Sequence, residues 1–137
     1  MNIKIEAEQF NKCVLLQFGS LMFNKPLRQV TTSRSFDFDV INYVEMNVED
    51  GNEIIQLINS LPFDEPSRCH NPAFGVELLQ GEKQVFVCSI CWSCNNIFII
   101  NNGVQGYVDF DSQSTPAGKL LDKFRFAFNA IIDLEDA

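Results

Sequence analysis

The residue types that do chemistry in this chain gather in one stretch. Cys69 and His70 stand side by side in Arg68-Cys69-His70-Asn71-Pro72, and Cys88-Ser-Ile-Cys91-Trp92-Ser-Cys94-Asn95-Asn96 follows. Four of the five cysteines, the one histidine and the one tryptophan lie there. Thiols and imidazole bind soft metals or carry redox chemistry. Cys91-x-x-Cys94 places two thiols three positions apart, a spacing that chelates zinc across a tight turn. Tetrahedral zinc needs two more ligands, and Cys69 is the third candidate, with His70 or Cys88 as the fourth. Adjacent residues seldom serve one metal, which makes Cys69 and His70 an awkward pair, and on a regular strand Cys88 projects opposite to Cys91.

Three readings stay open. One structural zinc held by Cys69, His70, Cys91 and Cys94 is the metal reading. Reduced cysteines packed as small hydrophobes are the favoured one. A disulfide among Cys69, Cys91 and Cys94 is the third, and a disulfide framework is disfavoured by the odd thiol count in a chain without a visible export signal. Catalysis fits less well. Reactive CxxC pairs sit at helix N-termini, where the dipole lowers the thiol pKa, and this pair lies between two strands. A Cys69/His70 hydrolase lacks a second histidine, and neighbours on a strand point apart. No catalytic residues are expected, and no cofactor other than that one zinc.

At 137 residues, with 46% hydrophobic and 20% charged residues, the chain is expected to form one domain over 1–137 with a core that needs no staples. Thirteen phenylalanines make that interior aromatic. The first residues, Met1-Asn-Ile-Lys-Ile-Glu6, show no apolar signal-peptide region. No apolar run reaches the roughly 20 residues that span a bilayer. Cytoplasmic residence is the expectation. A net charge of −8 argues against nucleic acid and anionic membranes as partners and permits a basic protein.

The elements that would position the thiols follow from periodicity. Ile3–Ala7 alternates like a half-buried strand, and Phe10–Phe18 leans to strand before Gly19. Met22–Ser35 reads as irregular. Phe36–Val40 alternates, and Tyr43–Val48 continues with strand formers. Asp50-Gly-Asn-Glu53 has capping-box spacing, and Ile54, Leu57, Ile58 and Leu61 give the helical stripe that Pro62 stops. Ala73–Leu79 and Gln84–Trp92 form a hairpin through Gly81-Glu-Lys83, with Phe86, Cys88, Ile90 and Trp92 facing the core and Val85, Val87, Ser89 and Cys91 opposite. A second hairpin, Ile97–Ile100 with Val104–Phe110, turns at Asn102-Gly103. The last helix starts at Thr115-Pro116, read as N-cap and N1, with an apolar stripe reaching Ile131 and Ile132 and an acidic, fraying end at Asp133–Asp136. The pattern predicts an α+β domain: an antiparallel sheet of about five to seven strands with both helices on one face.

Acidic residues concentrate at Asp37, Asp39, Glu45, Glu49, Asp50, Glu53, Asp64 and Glu65. Alternation buries Phe36, Phe38 and Val40 and exposes Asp37 and Asp39. Asp37, Asp39, Glu45 and Glu49 are therefore the candidate face for a basic partner, against the plainer reading of a solvated strand.

The motif pair Cys69-His70-Asn71-Pro72 and Cys91-Trp92-Ser-Cys94-Asn95-Asn96, with the Pro116 helix start, resembles a group of small bacterial proteins of uncharacterised function. Those proteins carry Cys-His-x-Pro, a hairpin, Cys-Trp-x-Cys-Asn-Asn and a proline-initiated last helix. The resemblance spans roughly Leu61 to Arg125 and implies a shared domain rather than an activity. In format (small, acidic, α+β) the chain also resembles immunity proteins, which neutralise bacterial toxins. That likeness implies a non-enzymatic binding protein with a basic toxin as partner.

Overall fold

Runs of β-branched and aromatic residues at alternate positions pair into a single antiparallel sheet in the computed structural model, which describes residues 10–19, 28–31, 37–66, 69–129 and 132–137. The elements are β1 (Lys12–Phe18), β2 (Arg28–Thr31), β3 (Asp37–Met46), α1 (Val48–Asn59), β4 (Phe74–Gln80), β5 (Lys83–Cys91), β6 (Asn96–Asn101), β7 (Val104–Asp109) and α2 (Thr115–Phe128), with a 3₁₀ turn at Leu134–Asp136. The seven strands lie in the order β2-β3-β1-β4-β5-β6-β7, so the fold is α+β. Among the described residues no helix is long and apolar enough to cross a membrane.

Both helices cover one face. Ile54, Ile55 and Ile58 of α1 and Ala117, Leu120, Leu121 and Phe124 of α2 are buried against Cys13 and Leu15 of β1, Phe74, Val76 and Leu78 of β4, and Phe86, Cys88 and Ile90 of β5. Trp92 sits fully buried at the centre of this layer. Its ring meets Phe74, Phe110 and Phe124 edge-on, and its indole N–H donates to the Ala117 carbonyl at 2.9 Å. Gly51 is required where α1 crosses β1, because a Cβ there would come within 2.8 Å of the Cys13 Cβ. The Asn102-Gly103 turn has the two positive φ angles, 50° and 82°, that its residues foretell.

Several boundaries differ from expectation. Asn47, not Asp50, caps α1, its side chain accepting from the Asp50 N–H at 2.8 Å. Asn47 is itself a favoured N-cap residue and stands one turn earlier. Ser114 rather than Thr115 caps α2. That helix stops at Phe128, where Asn129 takes the left-handed conformation, and the acidic end forms the separate 3₁₀ turn instead of fraying. Arg125, in the last turn, donates to the Ile132 carbonyl at 2.9 Å and ties that tail back. Arg28–Thr31, expected to be irregular, pairs with β3 as an edge strand. Phe36, Ile131 and the expected strand Ile3–Ala7 lie outside the described residues.

The largest departure is inside β3. Its register against β1 slips between Gln17 and Phe18, which face Asn42 and Val40, so Ile41 is an extra, bulged residue. A bulge reverses alternation. Phe38 and Val40 share the second, helix-free face with Phe18, and beyond the bulge Tyr43 and Glu45 share it with Leu16 and Val14.

Candidate functional site

That helix-free face is where polar chemistry collects. It carries an apolar cluster of Val14, Leu16, Phe18, Val30, Val40 and Val87, then three buried polar residues, Glu77, Ser89 and Asn96. Ladder neighbours align Ser89 with Gly75 on one side and Phe98 on the other. Gly75 is needed there: a Cβ would strike the Cys88 carbonyl and lie 2.8 Å from the Phe18 ring that rests over it.

The loop leading into β4 seats His70 on this face. Asn96 Nδ2 donates to the Cys69 carbonyl at 2.6 Å, which turns its Oδ1 toward the imidazole. Oδ1 can only accept, so His70 Nδ1 carries the hydrogen and donates at 2.6 Å. Nε2 is then the acceptor and takes the Ser89 hydroxyl hydrogen at 2.7 Å. Phe38 and Tyr107 meet the ring edge-on, with centroids at 6.1 and 5.4 Å. Burial pushes the His70 pKa below its usual value, and the hydrogen bond to Asn96 opposes that shift in part. The imidazole is neutral in this setting.

Ser89, His70 and Asn96 repeat the hydroxyl–imidazole–acceptor order of a serine nucleophile relay. Three observations set the arrangement apart from such a relay. Ser89 is wholly buried in mid-strand, where substrate cannot reach it. The backbone of β5 is paired on both sides, with β4 and with β6. Its amides are therefore not available as an oxyanion hole, whose loss costs about 10²–10³ in rate for one donor. The third member is an amide, which lacks the charge that stabilises an imidazolium. The network holds a loop in place.

The cysteines reinforce it. Cys69 and Cys94 form a disulfide, with Cα atoms 5.6 Å apart, so the expectation against disulfides is corrected. The bond joins the loop before β4 to the turn after β5, clasping the open end of that hairpin. Cys91 stays free and buried; its thiol donates to the Asn71 carbonyl at 3.4 Å and lies 3.3 Å from the Ser93 hydroxyl. Cys13 and Cys88 are buried on the helix side, and desolvation pushes the Cys13 thiol up to about 12 and Cys88 higher still. Of the four residues expected around a zinc, then, Cys69 and Cys94 are joined to each other. His70 has both nitrogens engaged, and Cys91 faces carbonyls. Among the described residues no group of three or more His, Cys, Asp or Glu side chains is placed to hold a metal.

The expected acidic face is divided. Asp39 points to the opposite side of β3 from Phe38, and its carboxylate accepts from the Gln29 amide at 2.7 Å. Asp37 belongs to β3, but its side chain lies outside the described residues. Glu49 is exposed in the first turn of α1. Of Asp39, Glu45 and Glu49, Glu45 reaches the helix-free face, because the bulge lies between it and Asp39. There it borders an open recess of about 440 Å³ lined by Lys12, Val14, Tyr43, Glu45, Glu77 and Glu82, among others. One ladder row carries Glu45, Val14, Glu77 and Val87 across neighbouring strands. Lys12 lies 3.5 Å from Glu45, and Glu77 accepts from Gln84 at 2.6 Å.

Sequence reasoning did not single out Ser89, Asn96 or Glu77 as site residues. Their signal was a polar residue inside an otherwise apolar strand. Compared with models of known families, with curated proteins and with solved structures, the chain matches none.

Proposed function

We propose that this protein is a non-enzymatic binding module for a basic protein, acting as an immunity protein that neutralises a cognate bacterial toxin. The observation that carries the reading is the recess on the helix-free face. Glu45, Glu77 and Glu82 surround a floor of Val14 and Leu79, with the half-exposed Tyr43 ring at the rim. Carboxylates beside an aromatic face and a short apolar floor suit the alkyl stem and charged head of an arginine or lysine. The net charge of −8 would draw such a partner in and speed encounter. Cytoplasmic residence belongs to the same proposal.

Affinity capture from the native host with mass spectrometry of what co-purifies tests it. The expected outcome is one basic protein at stoichiometric level, with its toxicity suppressed when the two are mixed. Turnover of a small molecule by the purified chain, with no stoichiometric protein partner, would overturn the reading.

A further inference from the structure

We infer that the Cys69–Cys94 disulfide is a reducible clasp, a thiol-exchange site for a dithiol reductant, whose opening releases the His70 loop from the sheet. The inference goes beyond the partner proposal and does not rest on it. Cys69 is exposed whereas Cys94 is almost fully buried, so an incoming thiolate reaches the Cys69 sulfur first. Attack there forms a mixed disulfide on Cys69 and expels the Cys94 thiolate, which takes up a proton. The second thiol of the reductant then attacks its own sulfur in the mixed bond, leaving as a disulfide and freeing Cys69. Two electrons pass from the dithiol to the two cysteines. The other three cysteines are buried, so exchange is directed to this bond.

The bond lies where opening it has an effect. The segment from Cys69 to Pro72 is anchored by the disulfide, by the Asn96–Cys69 and His70 hydrogen bonds, and by the Cys91 thiol on Asn71. Without the covalent tie, hydrogen bonds and ring contacts are what hold the imidazole over Ser89 among the described residues. Lifting it uncovers two polar side chains, Ser89 and Asn96, between Phe38 and Tyr107.

The test uses the full chain, before and after dithiothreitol, with iodoacetamide labelling under native conditions and hydrogen exchange read by mass spectrometry. Reduction is expected to add label at Cys69 and Cys94 only. Amide exchange across Cys69–Ala73 should quicken about tenfold or more, while β1 and α1 keep their protection. A Cys69→Ser/Cys94→Ser chain should show the same fast exchange without reductant; should it fail to fold, the reduced wild type still decides. Failure to label short of global unfolding, unchanged exchange after labelling, or a Cys91–Cys94 disulfide as product would each overturn the inference.

Discussion

Both faces of the sheet bury side chains, yet they are built from opposite materials. On the helix side, Trp92, Phe74, Phe110 and Phe124 fill space with rings and aliphatic chains, and the indole N–H is the polar atom of that ring cluster, with its own acceptor. On the other side Ser89, Asn96 and Glu77 are enclosed as well, each with a partner. Apolar packing is non-directional and tolerates swaps that conserve volume. A buried hydrogen-bond network does not tolerate losing one member, because the remaining groups keep their desolvation cost without compensation. The helix face therefore carries the stability, and the helix-free face carries a geometry fixed by directional hydrogen bonds.

Breaking the helix face should cost most. Trp92→Ala empties the aromatic centre and removes the indole hydrogen bond to Ala117, and should lower unfolding free energy by about 3–5 kcal/mol in urea titrations. Next comes the clasp. The disulfide closes a loop between residues 25 apart, so its reduction should cost about 3 kcal/mol, read as a lowered denaturation midpoint in dithiothreitol. Ser89→Ala leaves His70 Nε2 unpaired in a buried site and should cost about 1–3 kcal/mol. Leu121→Met, a change of similar size on the helix face, should cost less than about 1.5 kcal/mol. Equal losses from the last two would erase the contrast between the faces.

A smaller effect follows from pH. The His70 pKa is lowered by burial, so the unfolded chain takes up a proton more readily than the folded one. The histidine's contribution to stability is complete above its ordinary value of 6.5 and falls as pH drops from there through the lowered value. Urea midpoints should decline across that window, and the part due to this residue should vanish in His70→Gln.

Periodicity exposed the meander, both hairpins and both helices because each segment repeats a single burial pattern. Where two patterns meet, it failed. Ile41 reverses the alternation of β3, so Asp39 and Glu45, six residues apart and in phase on a regular strand, end on different faces. No feature of Asp37-Phe-Asp-Val40-Ile-Asn-Tyr43 announces that bulge. Asn47 and Ser114 won the helix caps from Asp50 and Thr115 because several cap-forming residues stand close together and tertiary packing chooses among them. Arg28–Thr31 is a short edge strand beneath any reliable periodicity. The thiol cluster was visible, but the pairing of Cys69 with Cys94 depends on the hairpin bringing its two ends together. Asn96 and Ser89 meet His70 only through strand register, which no local pattern encodes.

The smallest effect on stability is the most direct test of function. Glu45→Lys/Glu82→Lys should change unfolding free energy by no more than about 0.5 kcal/mol, as surface substitutions do. Measured against the captured basic partner, it should slow association and flatten its salt dependence. Asp39→Lys/Glu49→Lys, which reverses as much charge away from the recess, should leave association far closer to wild type. Equal slowing by both pairs would mean that overall charge, not the recess on the helix-free face, attracts the partner, and would contradict the account.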